Sequence, residues 1–380
     1  MILLFSLFIF LIIVFFGIIP QKMALKYKIA AGILSAVISF KFYIFSFASG
    51  KLFAAPQWPA WLLLLSTWLY AMLLFSALFL LIFQLAALII KKIAEFRKRK
   101  VPSFFTDPAW KALTLIPAAL IVSYGIYCGL KLPEVVKHEI THPALPAEAD
   151  GFTIALLSDI HADPFTRQEK ISRIVDLTNS CKADLIVITG DFVDGKINMR
   201  GNDLQVLQNL SAPHGVFGVP GNHEYYSGYS GWMAFLRRCS IKMLTNSHSL
   251  VADGKITLAG VTDPAAYRMK KEKPDIEKAL AGSPENNFRI LLAHQPKLAY
   301  HAADAGIHLQ LSGHTHGGMI YGLDRIVALF NKNFVSGAYH IGNMVLFISN
   351  GTGIWNGFPL RLGHSSEIVI ITLRKTPADH

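Results

Sequence analysis

Cysteine is scarce: Cys128, Cys181 and Cys239 are the three in 380 residues, and none falls in a Cys-x-x-Cys spacing. That excludes a thiolate zinc module and a disulfide-built fold. Cys128 lies in an apolar run, which leaves Cys181 and Cys239 as the pair that an oxidising compartment could join. Charged residues are also few, 16% of the chain, and they lean basic to a net +11. No basic residue precedes the first apolar stretch, as a cleaved secretory signal would require. Lys22, Lys26 and Lys28 follow it instead, the order of an anchor with its N-terminus outside. Internal repeats and low-complexity segments are absent.

What the chain has in excess is apolar length, all of it early. Ile2–Ile19, Ile29–Phe47, Trp61–Ile90 and Ala112–Leu130 each approach or exceed the ~20 residues that cross a bilayer. They are expected to form an α-helical membrane domain of four spans, residues 1–137. Lys41 interrupts the second stretch and should snorkel or face a neighbouring helix; Pro117 interrupts the fourth. The connection between the third and fourth holds Lys91, Lys92, Arg97, Lys98, Arg99, Lys100 and Lys111, whereas the preceding loop has only Lys51. Short basic loops stay cytoplasmic. Everything after Leu130 is therefore expected outside, on the periplasmic face of an inner membrane. Residues 1–150 carry 14 Lys+Arg against 6 Asp+Glu, a balance of +8, so the basic character reflects membrane topology rather than nucleic-acid binding.

Past a Pro-containing polar stretch read as a linker, 138–150, short β-rich runs recur. They are Thr153–Ser158, Leu185–Thr189, Val216–Val219, Ile256–Ala259, Ile290–Ala293, His308–Leu311, Met344–Ser349 and Ile368–Leu373. Helical patterns at Arg167–Thr178, Gly231–Cys239 and Asp275–Ala281 lie between some of them. Near-continuous apolar strands alternating with helices predict a layered α/β domain over 151–374, with 375–380 as a tail.

Five motifs sit just after these strands: Asp159-Ile160-His161, Gly190-Asp191-Phe192-Val193-Asp194, Gly221-Asn222-His223-Glu224, His294, and Gly313-His314-Thr315-His316-Gly317-Gly318. Asp-x-His alone is uninformative, Gly-Asp-x-x-Asp is commonly a turn, and a single histidine is usually a core residue. The ordered set is different, because loops leaving the carboxyl ends of neighbouring strands converge. Carboxylate, amide and imidazole donors without thiolate suit Mn, Fe or Zn. Seven of them suffice for two divalent cations sharing a carboxylate, a pair that clamps attacking and leaving oxygens at phosphorus.

This series resembles the calcineurin-like metallophosphoesterase superfamily, over roughly residues 150–374 and without a substitution in any motif. The resemblance implies a four-layer sandwich, two facing β-sheets flanked by helices. It implies one metal held by Asp159, His161, Asp191 and His316, and a second held by Asp191 as bridge with Asn222, His294 and His314. The nucleophile would be water or hydroxide held between the cations, with His223 positioning the phosphate and protonating the leaving oxygen. Glu224 is expected to hold the His223 tautomer, Asp194 to orient a ligand, and Arg361 to bind a substrate phosphate bidentately.

The expected activity is hydrolysis of a phosphodiester or phosphomonoester, with an envelope or lipid-linked substrate and the lipid bilayer as partners. Two alternatives remain: a pyrophosphatase of the UDP-2,3-diacylglucosamine type, which needs a cytoplasmic site, and a non-catalytic accessory protein on the same fold.

Overall fold

The computed structural model describes residues 2–49, 56 and 58–376. Lys51 and the end of the tail, 377–380, lie outside them. The chain divides into two compact units, Met1–Tyr127 and Cys128–His380.

Among the described residues, two helices are long and apolar enough to cross a membrane, Ala60–Phe96 and Ala109–Leu130. The second expected span is broken into Leu25–Ser39 and Lys41–Ser49, bent by 55°, and counts as a third crossing only if the bent pair is one span. The break falls at Phe40, beside the charge. Lys41 is buried, its Nζ donating to Thr67 Oγ1 at 2.7 Å and lying 4.9 Å from the Phe45 ring centre, so it faces a neighbouring helix. The first apolar stretch forms an α-helix, Ile2–Ile12, which continues as a π-helix to Ile18. It is shorter than a full crossing requires. Four spans are therefore not established. Pro117 lies in the first turn of Leu115–Leu130, where a missing N–H costs no helical bond.

The second unit is built on two mixed sheets. Its strands are β1 (Glu134–His142), β2 (Thr153–Leu157), β3 (Leu185–Ile188), β4 (Val216–Gly218), β5 (Lys242–Met243), β6 (Ser247–Val251), β7 (Ile256–Gly260), β8 (Phe288–Leu292), β9 (Leu309–Ser312), β10 (Gly337–Ile341), β11 (Met344–Ile348) and β12 (Glu367–Lys375). The first sheet runs β1-β12-β2-β3-β4-β5 and the second β10-β11-β9-β8-β7-β6. Alternate residues of each strand explain the layering. Ile154, Leu156, Leu185 and Val187 of one sheet meet Leu258, Ile290, Leu309 and Phe347 of the other in a central core. The opposite face of the first sheet, through Ala155, Leu157 and Ile186, packs on Ile171 and Ile174 of helix Gln168–Ser180 and on Trp232 of helix Tyr229–Arg238. Leu291, Leu346 and Ile348 of the second sheet pack on Ala279, Ala299 and Ala302. The result is helix, sheet, sheet, helix.

One expectation fails here. The stretch read as a linker, 138–150, begins inside a strand: β1 pairs in parallel with β12 from Glu134↔Glu367 to His142↔Lys375. The β-branched run Val135, Val136, Ile140 and Thr141 prefers a pleated surface, and Ile140 and His142 are buried. Charged Lys137 and Glu139 point outward, as suits an edge strand, and they give the segment its polar look. Of the other missed strands, β5 has two residues, and β6 and β10 are only partly buried and so lack a continuous apolar signal. All three cysteines are free, with Cys239 buried.

Candidate metal centre

Every motif leaves the carboxyl end of a strand: Asp159 and His161 follow β2, Asp191 follows β3, Asn222 and His223 follow β4, His294 follows β8, and His314 and His316 follow β9. Asp159, His161, Asp191, His314 and His316 have φ of 53°, 49°, 53°, 73° and 50°. The left-handed region costs a non-glycine residue about 1–3 kcal/mol and persists only where neighbours enforce it. They do so here. Asp159 N donates to Gly190 O at 3.0 Å, His161 N to Asp191 O at 3.0 Å, and His314 N to Asp159 Oδ2 at 3.0 Å. Glycine lets the loops approach this closely: a Cβ on Gly313 would lie 1.8 Å from Ser158 Oγ and 2.3 Å from Asp159 Oδ2.

The donors converge in two adjoining groups. In one, His161 Nε2 lies 3.2 Å from His316 Nε2 and 3.9 Å from Asp159 Oδ1, and His316 Nε2 lies 3.6 Å from that oxygen. In the other, His294 Nε2 lies 3.2 Å from His314 Nδ1, 3.1 Å from Asn222 Oδ1 and 3.1 Å from Asp191 Oδ2. The same Asp191 oxygen is 3.8 Å from His161 Nε2, so it faces both groups. Donors at about 2.0 Å from a cation in tetrahedral array are ~3.3 Å apart, and these spacings fit. Tautomers fit as well. His294 Nδ1 donates to Thr189 O at 2.7 Å, and His161 Nδ1 donates to Asp194 Oδ2 at 3.0 Å, so each ring turns a bare Nε2 inward. The residues present therefore suit two divalent cations.

The chain matches the family model described as calcineurin-like phosphoesterase over residues 152–318. It is 34% identical over 331 residues to a Danio rerio "Transmembrane protein with metallophosphoesterase domain", covering 83% of this chain and 75% of that one. It is 37% identical over 251 residues to an "Uncharacterized metallophosphoesterase" of Helicobacter pylori, covering 66% of each. It is also 31% identical over 263 residues to the Bacillus subtilis "Uncharacterized metallophosphoesterase YkuE", covering 67% of this chain and 90% of that one. This chain belongs to the calcineurin-like metallophosphoesterases. It is accordingly a metal-dependent phosphoesterase, of a family that uses two divalent metals.

Three other site residues lie where the metallophosphoesterase motifs alone do not tell. Asp194 spans two imidazoles, Oδ2 on His161 Nδ1 and Oδ1 in a very short bond with His223 Nδ1. Burial alone would raise its carboxyl pKa, but His223 and then His161 hold it below the usual range. Burial would likewise depress His223, yet the Asp194 and Asp191 carboxylates outweigh it and push the imidazole up to about 10. Glu224 does not orient His223. It accepts from the N–H groups of Gly221 (2.7 Å), Phe192 (2.8 Å) and Asp191 (3.0 Å), tying the third motif to the second. At N3 of a six-residue helix its carboxylate reaches back to the N-cap, as capping geometry dictates, and leaves the imidazole to Asp194.

Arg361 is also not placed for substrate. It is 1% exposed, and its guanidinium donates to the carbonyls of Asn350 (2.6 Å), Gly353 (2.9 Å), His364 (3.1 Å) and His316 (3.2 Å). It pins the His316 loop to the 350–364 segment. Sequence reading missed Thr189, whose carbonyl sets a tautomer, and the Tyr226 ring stands edge-on to His223 at 5.4 Å. A backbone carbonyl leaves no trace in a motif. Tyr226, three residues beyond His223 on the same short helix, did carry a signal in its spacing.

Proposed function

We propose that this protein is a membrane-anchored, binuclear-metal phosphoesterase hydrolysing a phosphodiester or phosphomonoester of an envelope or lipid-linked substrate. The observation that carries the reading is the single Asp191 oxygen shared between the two donor groups, 3.1 Å from His294 Nε2 and 3.8 Å from His161 Nε2. Asp159, His161, Asp191 and His316 would hold one cation, and Asp191, Asn222, His294 and His314 would hold the other. Bound there, divalent ions of Mn, Fe or Zn supply Lewis-acid stabilisation of the phosphoryl oxygens and acidify water.

The chain's own contribution centres on His223. Asp194 holds its Nδ1–H, so Nε2 is left facing the site and the carboxylate supports the imidazolium that hands a proton to the leaving oxygen. Asp191 Oδ1 accepts the His223 N–H at 2.8 Å, so the acid and the bridging carboxylate move as one piece. Burial of Asp159, His161, Asp191 and His294 excludes water other than the reactant and strengthens each charge interaction. We take the catalytic domain to include β1 and to run to the end of β12, a reading that the pairing of these two strands supports. The basic tract between the last two apolar helices supports a multi-pass inner-membrane anchor with the catalytic domain outside.

The test uses the detergent-solubilised full chain loaded with Mn²⁺ or Zn²⁺. It should bind two ions per chain and hydrolyse an aryl phosphodiester or monoester, and Asp191→Asn and His223→Ala should each remove most of that rate. Rates unchanged by both substitutions, or one ion per chain, would end the proposal. A reporter fused at the C-terminus checks orientation; cytoplasmic activity of that reporter would reverse the assignment.

A further inference from the structure

The last apolar helix ends at Leu130 and β1 begins at Glu134. Lys131, Leu132 and Pro133 between them allow a separation of roughly 14 Å at full extension. With that helix crossing the bilayer as proposed above, the start of β1 would lie near the bilayer surface, whose polar layer is itself ~5–7 Å deep. Strand directions then decide which edge of the sheet this is. β1 is parallel to β12, and β12 is antiparallel to β2, with Val369 opposite Leu156. The membrane-proximal start of β1 thus lies at the carboxyl end of β2, the edge that carries Asp159.

That edge bears an apolar surface which the catalytic reading does not use. After His316 the chain turns through Gly318, where a Cβ would fall 2.4 Å from Asp324 Cα, into the short helix Leu323–Leu329. No residue of that helix is buried. Tyr321 (67% exposed), Ile326 (45%), Leu329 (72%) and Phe330 (50%) face outward, flanked by exposed Arg325 and Lys332. Large apolar groups in one cluster at this exposure mark an interaction site. The segment is tied to the membrane-proximal end of the unit. Tyr321 N donates to Leu362 O at 3.2 Å and Leu362 N to Met319 O at 2.8 Å. Three residues earlier, Pro359 O would lie 2.9 Å from a Cβ on Gly129, in the last turn of the apolar helix.

We propose that Tyr321–Phe330 is an interfacial segment that enters the headgroup layer of the bilayer its own chain spans, with Ile326, Leu329 and Phe330 reaching the acyl boundary. Penetration of ~5–10 Å is ordinary for an apolar face flanked by cations, and the tether is short enough to permit it. The metal centre, two residues before Gly318, then opens at headgroup depth, where a lipid phosphate is presented without leaving the membrane. The inference concerns a surface and stands independently of the chemistry at that centre.

The experiment places a nitroxide on Leu329→Cys, and separately on Phe330→Cys, in the full chain with Cys128 and Cys181 replaced by Ser, reconstituted in phospholipid vesicles. Glu285→Cys, at the amino end of β8 on the opposite edge, is the control. The ratio of oxygen to nickel-chelate accessibility should be several-fold higher at 329 and 330 than at 285. Equal ratios would mean that the segment lies in water, and the proposal falls. Low accessibility to both reagents, with dipolar broadening that disappears on dilution with unlabelled protein, would identify a second copy as the occupant and equally overturn it.

Discussion

Replacing Asp194 by Asn tests the arrangement most sharply, because one carboxylate serves two imidazoles with different tasks. Asp194 Oδ2 accepts from His161 Nδ1 at 3.0 Å, and Oδ1 holds His223 Nδ1. An amide of the same shape has one oxygen and one N–H₂, so it can satisfy only one ring as acceptor. The other ring must present a bare Nδ1 and turn its proton inward. If His161 loses, metal affinity drops by about 10–100-fold. If His223 loses, no carboxylate supports the imidazolium that hands its Nε2 proton to the leaving oxygen, and the rate drops by about 10²–10⁴-fold. Excess Mn²⁺ rescues the first defect and not the second. The assay is kcat at saturating metal on two substrates, one with a nitrophenyl and one with an alkyl leaving group. The alkyl ester needs the proton more, so its loss should be greater, and Asp194→Asn combined with His223→Ala should be no slower on it than His223→Ala alone. Retention of activity within about two-fold on both esters, with metal affinity unchanged, would refute the reasoning.

Gly313→Ala places its Cβ 1.8 Å from Ser158 Oγ, so it should destabilise by about 1–3 kcal/mol and lower the bound-metal count, read by thermal unfolding and elemental analysis. Arg361→Met leaves four carbonyls without their donor and should lower stability by about 3 kcal/mol or more while KM changes little. A large KM increase at unchanged stability would restore the substrate role expected from the sequence. His308 is held down to about 4, first by burial and then by His142 and Arg289, against ~6.5 in the unfolded chain. The unfolded chain therefore binds the extra proton, and stability is lost as pH falls from 6.5 towards 4. His308→Gln should flatten that part of the curve of unfolding temperature against pH; an unchanged slope would count against it.

The eight apolar runs read as strands all form strands, and the five motifs all sit at strand ends, because burial on both faces and loop convergence are written in local composition. The metal donors were legible for the same reason: imidazole, carboxylate and amide are chosen for what they bind, wherever the fold puts them. Residues that act through neighbours were not. Glu224 and Arg361 look like active-site groups by their chemistry, yet one holds backbone N–H groups and the other backbone carbonyls. Asp194 could be placed near a ligand but not between two rings, since that depends on β3 and β4 lying side by side. The second part of edge strand β1 reads as a linker because six of the strand's nine residues are exposed and its partner lies more than 200 positions away. Local sequence thus determined which side chains can meet a cation and which segments are apolar. Long-range strand pairing alone decided which of them share an atom's width of space, because a hydrogen bond or a metal contact is set by distances that no spacing along the chain encodes.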